Sequence, residues 1–391
     1  MHVGLDGLPL TAPRTGVGHY TFELAGALAS SRPNSLFELL YPSTYPEIIL
    51  GENLPVPENL KLNRVLVGPL GRRWWSAGLP RYARREKLEL FHGTNYDVPL
   101  WRQCATVLTI HDLSHLLYPE THEKRSVSRA RRRLPVMSRA ADAIITPTES
   151  VRREVCELLK PSPGKVFAIP EAARTCFRPL AFTETEDVRR RLDVGDDFLL
   201  TVGTLEPRKN LGVLVSAFAE VARALPQRDT KLVIAGGRGW LSGPLFTAIE
   251  RSPVRQRIVL TDYLHDDDLR ALYASCRAFI YPSLYEGFGL PPLEAMACGA
   301  PVIVSRVAAL AETGGDAAWF FDPQSVGDLA KNILELVDND NEENTENPRR
   351  KLSIAGQRRA AEFSWERTAA KTLHVYVEAV KRFGKSSEVS R

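Results

Sequence analysis

The chain has 391 residues, 44% of them hydrophobic and 25% charged, with 51 Lys or Arg against 47 Asp or Glu for a formal charge of +4. That length suits two domains of ordinary size, and that composition excludes a disordered, fibrous or coiled-coil protein. The excess of base is confined to one half: residues 1–180 hold 24 Lys/Arg and 17 Asp/Glu, residues 181–391 hold 27 and 30, so an anionic partner is expected at the first half alone. The start, MHVGLDGLPLTAPRTG, lacks a charged leader ahead of a long apolar run, and no window reaches about 18 consecutive apolar residues. Neither export nor a membrane span is expected. Cys104, Cys156, Cys176, Cys276 and Cys298 show no CxxC spacing and read as reduced thiols of a cytosolic protein.

In chain order, RTGVGHYTFELAGAL (14–28) comes first, with Gly16 and Gly18 read as lying between a first strand and a first helix, a turn able to approach phosphates. Apolar runs then recur at 36–41, 64–67, 89–93, 106–110, 143–146 and 165–169. A second series occupies 198–203, 231–236, 257–261, 278–282, 301–305 and 318–321. Runs apolar throughout, with helix-length segments between them, fit strands covered on both faces, and so two successive doubly wound parallel α/β domains. The polar stretch 177–197 shows no strand signal and reads as the interdomain linker, which puts the boundary near residue 180. DNDNEENTENPRR (338–350) is too polar to bury and reads as a surface loop. From Trp365 to Phe383, Leu373, Val377 and Val380 fall at helical spacing and predict one closing helix.

Four segments carry chemistry. AFIYPSLYEGFGLPPLEAMACGAPVIVS (278–305) lays strand, loop, helix and strand in succession, with Glu286 in the loop and Glu294 in the helix. Gly287 and Gly289 let a ligand approach the backbone, and Pro291 and Pro292 suit a first helical turn, so the loop offers amides at a helix N-terminus. A carboxylate one turn deeper can accept from the vicinal hydroxyls of a ribose, and the combination predicts a site for a nucleoside diphosphate sugar. TVGTLEPRKN (201–210) leaves a strand with Gly203, Arg208 and Lys209, placed to grip a diphosphate and stabilise it as it departs. TVLTIHDLSHLLYPE (106–120) ends a strand in His111 and Asp112, with His115 beyond. A histidine there is either a polar catalytic group or a satisfied structural one, and a metal at His111, Asp112 and His115 matches no familiar spacing. Asp266, Asp267 and Asp268 read as a helix N-cap rather than a metal site.

Two basic segments stand apart. RRWWSAGLPRYARREK (72–87) interleaves its cations with Trp74, Trp75 and Tyr82, and KRSVSRARRR (124–133) follows the same theme. Basic residues beside interfacial aromatics predict peripheral docking on an anionic bilayer, against an acidic-saccharide site or a merely solvated face.

GVGHY, HGTNYDVP (92–99), TIHD (109–112), GTLEPRKN, the Glu286 to Glu294 segment and FSWERTA (363–369) together resemble family 4 of the retaining glycosyltransferases, with its GT-B architecture. The look is nearest to bacterial polysaccharide mannosyltransferases. The resemblance implies two Rossmann-like doubly wound domains facing across a cleft: an acceptor-binding domain over 1–180, a sugar-nucleotide-binding domain over 181–364, and a helix over 365–391 returning to the first domain. It implies that Arg208 and Lys209 are the diphosphate cations and Glu294 the ribose ligand. Glu286 with the backbone of Gly287, Phe288, Gly289 and Leu290 becomes the cradle of the sugar and phosphates. His111 falls near the reacting carbon, Gly16 meets the diphosphate, Gly203 lies in the same phosphate loop, and Leu264 contacts the base. IPEAART (169–175) departs from the pattern, because many members have Asn-Gly after the proline.

The activity so implied is transfer of a hexose, mannose or glucose, from a GDP- or UDP-linked donor to a saccharide or lipid-linked saccharide hydroxyl, with retention and without a metal or other cofactor. No nucleic-acid partner is expected. The location implied is cytoplasmic, with peripheral attachment at the inner face of the cell membrane. The competing readings are a nucleotide-sugar epimerase of the same architecture, a sugar-nucleotide sensor without turnover, and an NAD-dependent oxidoreductase argued from AGGRGW (235–240), which lacks a full GxGxxG.

Overall fold

Parallel strands need helix-length crossovers between them, and apolar strands so joined are the arrangement in the computed structural model, which describes residues 1–12, 14–48, 56–68, 73–162, 164–338 and 347–389. Arg72 and most of the 338–350 stretch lie outside the described residues. One sheet contains β1 (His2–Asp6), β2 (Leu36–Pro42), β3 (Leu60–Val65), β4 (Leu90–Gly93), β5 (Ala105–Thr109), β6 (Ala143–Thr146) and β7 (Val166–Ala168), in the order β3-β2-β1-β4-β5-β6-β7. The other contains β8 (Phe198–Val202), β9 (Lys231–Ala235), β10 (Ile258–Thr261), β11 (Ala278–Tyr281), β12 (Val302–Ser305) and β13 (Trp319–Phe321), in the order β10-β9-β8-β11-β12-β13.

Helices cover both faces of the second sheet, so alternate residues enter two separate cores. Phe198, Leu200, Val233, Phe279 and Val302 enter one; Leu199, Leu232, Ile234, Ile280 and Ile303 enter the other. Burial on both sides is why these strands read as unbroken apolar runs. The rule fails at the edges of the first sheet. β3 covers Leu60–Val65, not 64–67, and Leu66 is fully in solvent. An edge strand open to solvent on both faces carries Lys61, Asn63 and Arg64, which an apolar-run criterion rejects. The five-residue β1, HVGLD, escaped the strand series for a related reason, since Gly4 and Asp6 interrupt it.

The chain divides into two compact units, one of Met1–Leu113, Ser128–Glu171 and Ser364–Arg391, the other of Ser114–Val127 and Ala172–Phe363. The break at Glu171/Ala172 precedes the expected one near 180, because the polar 177–197 stretch is no linker. It forms a turn, Phe182–Thr185, and a helix, Glu186–Arg191, and it sinks Phe177 and Val194 into the second unit's core. The segment Ser114–Val127 also joins the second unit, which a linear division of the chain cannot express.

The closing helix, Trp365–Val389, belongs to the first unit. Its buried face is Trp365, Ala369, Thr372, Val375, Tyr376 and Ala379, whereas of the expected stripe Leu373 is half-buried and Val377 and Val380 are exposed. Small side chains let this helix approach the helix Gly16–Ser31 and strands β5 and β6. Among the described residues, no helix is long and apolar enough to cross a membrane.

Candidate active site

The order of the second sheet reverses beside β8: β9 and β10 continue on one side and β11, β12 and β13 on the other. Open α/β sheets bind ligands outside the carboxyl ends of their strands at such a switch point. The loops leaving β8 and β11 are those carrying Arg208, Lys209 and Glu286. Arg208 Nη1 lies 3.0 Å from Glu286 Oε2 and donates to the Tyr285 carbonyl at 2.8 Å; its Nη2 donates to Glu206 Oε1 at 2.6 Å. Lys209 Nζ donates at 2.6 Å to both Glu286 Oε1 and the Tyr281 hydroxyl. The two loops are also tied through their backbones, the Leu284 amide donating to the Arg208 carbonyl at 2.9 Å. Asn210 Nδ2 holds the end of the first loop by donating to the carbonyls of Pro282 and Pro323.

This cluster is buried, and burial sets its ionisation. Burial alone would raise Glu286, but Arg208 and Lys209 overcome it and bring the carboxyl down to about 2. Burial lowers Lys209 and raises Glu206. Two cations and two carboxylates thus sit in contact, and the carboxyl at 206 is the easier to protonate.

Two glycines are required by close approach. Gly236, at φ 144°, would place a Cβ 2.0 Å from the Gly203 carbonyl oxygen where the loops after β8 and β9 cross. Gly289, at φ 100°, caps the helix Leu290–Ala297, and a Cβ there would meet Leu310 at 2.5 Å. Within that helix Glu294 is buried and braced by a fork: Arg174 Nε donates to Oε1 at 2.7 Å and Nη2 to Oε2 at 3.3 Å. Arg174 also reaches Asp266 Oδ1 at 2.6 Å and lies 4.4 Å from the centre of the Phe177 ring. Leu264 is half-buried on the loop after β10, against the same core.

The first sheet reverses between β1 and β4. Asp6 ends β1 buried, its Oδ1 accepts from the Leu8 amide at 3.1 Å, and burial pushes its carboxyl up to about 7. Gly16 opens the helix Gly16–Ser31 and Gly18 lies within its first turn, so neither belongs to the preceding loop. Gly18 is confined, a Cβ there meeting the Pro9 carbonyl at 3.0 Å, while Gly16 is exposed with open space beside it. After β5, His111 Nε2 faces the Thr94 carbonyl at 2.8 Å and Nδ1 faces Glu171 Oε1 at 3.3 Å. The edge of Tyr20 lies against the ring, 4.8 Å between centroids.

Comparison with known proteins bears on the family and the fold. Residues 14–175 match the model of Glycosyltransferase Family 4, and residues 182–360 that of Glycosyl transferases group 1. The O-antigen chain mannosyltransferase B of Escherichia coli is 32% identical over 94% of this chain and 97% of its own. The chain belongs to glycosyltransferase family 4. Sucrose-phosphate synthase from Thermosynechococcus elongatus shares the fold at a TM-score of 0.76, with 20% identity, over 96% of this chain and 98% of its own. Anabaena HepE in complex with UDP and glucose shares it at 0.71, also with 20% identity, over 95% and 99%.

This family 4 enzyme is a hexosyltransferase of GT-B architecture, and the epimerase, sensor and oxidoreductase readings fall away. AGGRGW is occupied structurally: Leu205 donates to the Gly237 carbonyl and Gly239 donates back to Leu205. Its Trp240 donates from the indole to the Thr121 carbonyl at 2.8 Å and stacks on His122, which stacks on His115 at 3.9 Å. Tyr118 packs against Tyr285 at 5.3 Å. The Ser114–Val127 segment of the glycosyltransferase is thereby fastened to the loops after β9 and β11.

Arg208, Lys209 and Glu286 come together as a cluster; Gly203, Gly287, Phe288, Gly289 and Leu290 lie on the same pair of loops; Glu294 and Leu264 lie beyond the same sheet edge; Gly16 and His111 lie in the other unit. Glu206, Tyr281, Arg174 and Glu171 went unread. Glu206 stands two places before Arg208, and Glu171 and Arg174 fall in the IPEAART departure, so the signals were present but had no template. The aspartate triplet fills the first turn of the helix Asp266–Ser275 behind an N-cap at His265, not the cap itself, with Asp266 on Arg174 and Asp268 on Arg191.

The aromatic residues of the first basic segment do not face solvent. Trp74 and Tyr82 pack with Leu40, Leu79 and Phe91 in the core, and the Tyr82 hydroxyl donates to Glu38 at 2.9 Å. Trp75 is half-buried against Phe91. A helix lying on a sheet turns its large rings inward, which sequence interleaving alone does not reveal. In the helix Lys124–Ala140, which contains no acid, Arg129, Arg131, Arg132 and Arg139 are exposed. Beside the start of β5, Leu100 and Trp101 are exposed, Trp101 at 71%.

Proposed function

We propose that this enzyme transfers mannose from a guanosine diphosphate donor to a hydroxyl of a saccharide or lipid-linked saccharide, retaining the anomeric configuration and needing no metal. The observation that carries the donor assignment is the buried Arg208, Lys209 and Glu286 cluster at the β8/β11 switch point. The choice of mannose is supported by the Escherichia coli relative, a mannosyltransferase.

In this reading the second unit holds the donor. Arg208, Lys209 and the amides about Gly287, Phe288, Gly289 and Leu290 take the diphosphate; Glu286 takes the sugar; Glu294 accepts from the ribose hydroxyls; the Leu264 backbone meets the base and Gly203 admits the phosphates. A carboxylate has about four acceptor positions, so Glu294 can serve a ribose while Arg174 holds it. The first unit takes the acceptor, with Gly16 at an anion-facing helix end and His111 at the sheet edge. The bond from the anomeric carbon to phosphate breaks through an oxocarbenium-like state as the acceptor oxygen adds on the same face. Charge grows on the departing phosphate, and preoriented cations stabilise that charge without a divalent ion.

GDP-mannose is expected to raise the unfolding temperature, because a donor at 100 times its Kd adds about 2.7 kcal/mol to apparent stability, and turnover is expected to survive chelation by EDTA. A shift with UDP-glucose but not GDP-mannose would replace the donor; loss of turnover with EDTA would overturn the metal-free chemistry.

Docking on the inner membrane face we assign to the arginine face of the helix Lys124–Ala140 with Trp101 and Leu100, in place of the buried aromatic residues at 74 and 82. Each exposed Arg adds about 1 kcal/mol near an anionic surface. Co-flotation with phosphatidylserine vesicles near 0.1 M salt is expected, and its loss in Arg129→Glu/Arg132→Glu. Equal flotation of both proteins excludes this surface.

A further inference from the structure

We propose that Glu171 fixes His111 as an imidazolium that donates from both ring nitrogens, so that His111 serves transfer as a stationary cation and cannot accept the acceptor's proton. The geometry carries this. A backbone carbonyl has no hydrogen to give, so the 2.8 Å contact to Thr94 requires a proton on Nε2. The 3.3 Å contact of Nδ1 to a Glu171 oxygen is the second anchor, and an ionised carboxylate there requires a proton on Nδ1 as well. Both side chains are largely out of water, at 12% and 5% exposure, which strengthens the attraction between them.

The surroundings add to the same charge state. Asp112 follows His111 and favours the cation. Tyr20 from the helix Gly16–Ser31 and Tyr96 from the loop after β4 face the ring with their edges and bring no charge, and burial holds the Tyr20 hydroxyl protonated. Behind it, His92 bridges the Tyr376 hydroxyl at 2.8 Å and Thr109 at 2.7 Å; burial and the neighbouring His111 lower it to about 3, so it stays neutral. Burial by itself would lower His111, yet Glu171, by hydrogen bond and by charge, prevails and raises it. The stability this pair adds is complete below the unfolded value of about 6.5 and is lost as pH climbs through the raised folded value.

Two consequences follow for transfer. A ring with both nitrogens committed has no lone pair for the attacking hydroxyl's proton, so that proton passes to the departing phosphate oxygen, which gains a lone pair as its bond to the anomeric carbon breaks. His111 is also a fixed point: through Thr94 it orders the loop after β4, where the Thr94 hydroxyl in turn donates to the Asp6 carbonyl at 3.1 Å. Glu171 is accordingly a positioning residue, and it occupies the IPEAART segment where this chain leaves its family's pattern.

The inference gives His111 a part in transfer and in that respect rests on the proposed function, but its first test does not need activity. Nitrogen-15 NMR of the full enzyme, with the His111 signal identified by its loss in His111→Gln, is expected to show both ring nitrogens still protonated above the pH range in which an unperturbed imidazole loses one. In Glu171→Gln, where burial is no longer opposed by the carboxylate, the ring is expected to lose its proton at lower pH than in the parent, and Glu171→Asp is expected to restore part of the shift. Acceptor kcat/KM in Glu171→Gln is expected to begin falling at lower pH than in the unaltered enzyme, with donor KM within about twofold. An unprotonated His111 nitrogen at pH 7 in the unaltered enzyme, an unmoved titration in Glu171→Gln, or a pH profile parallel to the parent's would each overturn the proposal. Should the NMR result hold while no nucleotide sugar is turned over, the imidazolium stands and the transferase assignment of the site falls.

Discussion

Lys209→Met is expected to lower kcat/KM by roughly 10²–10³-fold while the protein remains folded at assay temperature. Methionine keeps the length of the stem and removes the charge, and loss of one preoriented donor to a departing oxyanion is worth about 3–4 kcal/mol. Part of the loss is indirect. Lys209 Nζ holds both Glu286 and Tyr281 at 2.6 Å, so its removal takes one of two cations from Glu286 and loosens the loop after β11. Removing one member of a buried pair also costs about 3–5 kcal/mol of stability, which calls for kinetics well below the variant's melting temperature.

The charge balance supplies a control that separates the two effects. With Glu206 and Glu286 ionised, the cluster with Arg208 and Lys209 is neutral, and under the proposed function a diphosphate would compete with Glu286 for the same cations. Glu286→Gln is therefore expected to bind GDP more tightly, by calorimetry, while turning over more slowly. Weaker GDP binding in Glu286→Gln together with unaltered binding in Lys209→Met would show that these cations do not meet phosphate.

How far the sequence discloses this enzyme depends on which side of each element is wet. The strands of the second sheet are buried on both faces, so FLLTV, KLVIA and AFIY announce themselves; LKLNRV at the edge of the first sheet does not. The same holds for helices, where a tally of apolar residues chose Val377 and Val380, but close packing chose Ala369, Thr372 and Ala379. Within the site, Arg208, Lys209 and Glu286 were legible because they lie on two loops whose glycines and prolines mark them as loops. What was not legible is pairing across long sequence separation. Nothing in local spacing says that Glu171 meets His111 or that Arg174 meets Glu294, since folding, not spacing, brings those pairs together. Basic segments illustrate the reverse error, for Trp74 and Tyr82 look interfacial beside arginines until a sheet lies under them.

Arg174→Met tests the second of those pairs and carries the other large expected effect. Arg174 is buried between Glu294 and Asp266, and the fork on Glu294 sets the carboxylate's direction. Burial already raises Glu294, and without the guanidinium it rises further, because Arg174 is the principal group lowering it. For an acid whose folded value lies above its unfolded one, the penalty is absent below the unfolded value of about 4.3 and grows as pH rises toward the folded value. The variant is therefore expected to lose about 3–5 kcal/mol relative to the parent near pH 8, on the order of 10 °C in melting temperature, and distinctly less near pH 5. Glu294→Gln added to Arg174→Met is expected to recover part of that loss at pH 8, since a neutral amide needs no counter-ion, without recovering donor affinity, which under the proposed function requires the carboxylate. Equal destabilisation at pH 5 and pH 8 would mean that the ion pair is not what holds Glu294. Full donor affinity in Arg174→Met would mean that its orientation does not matter to the nucleotide.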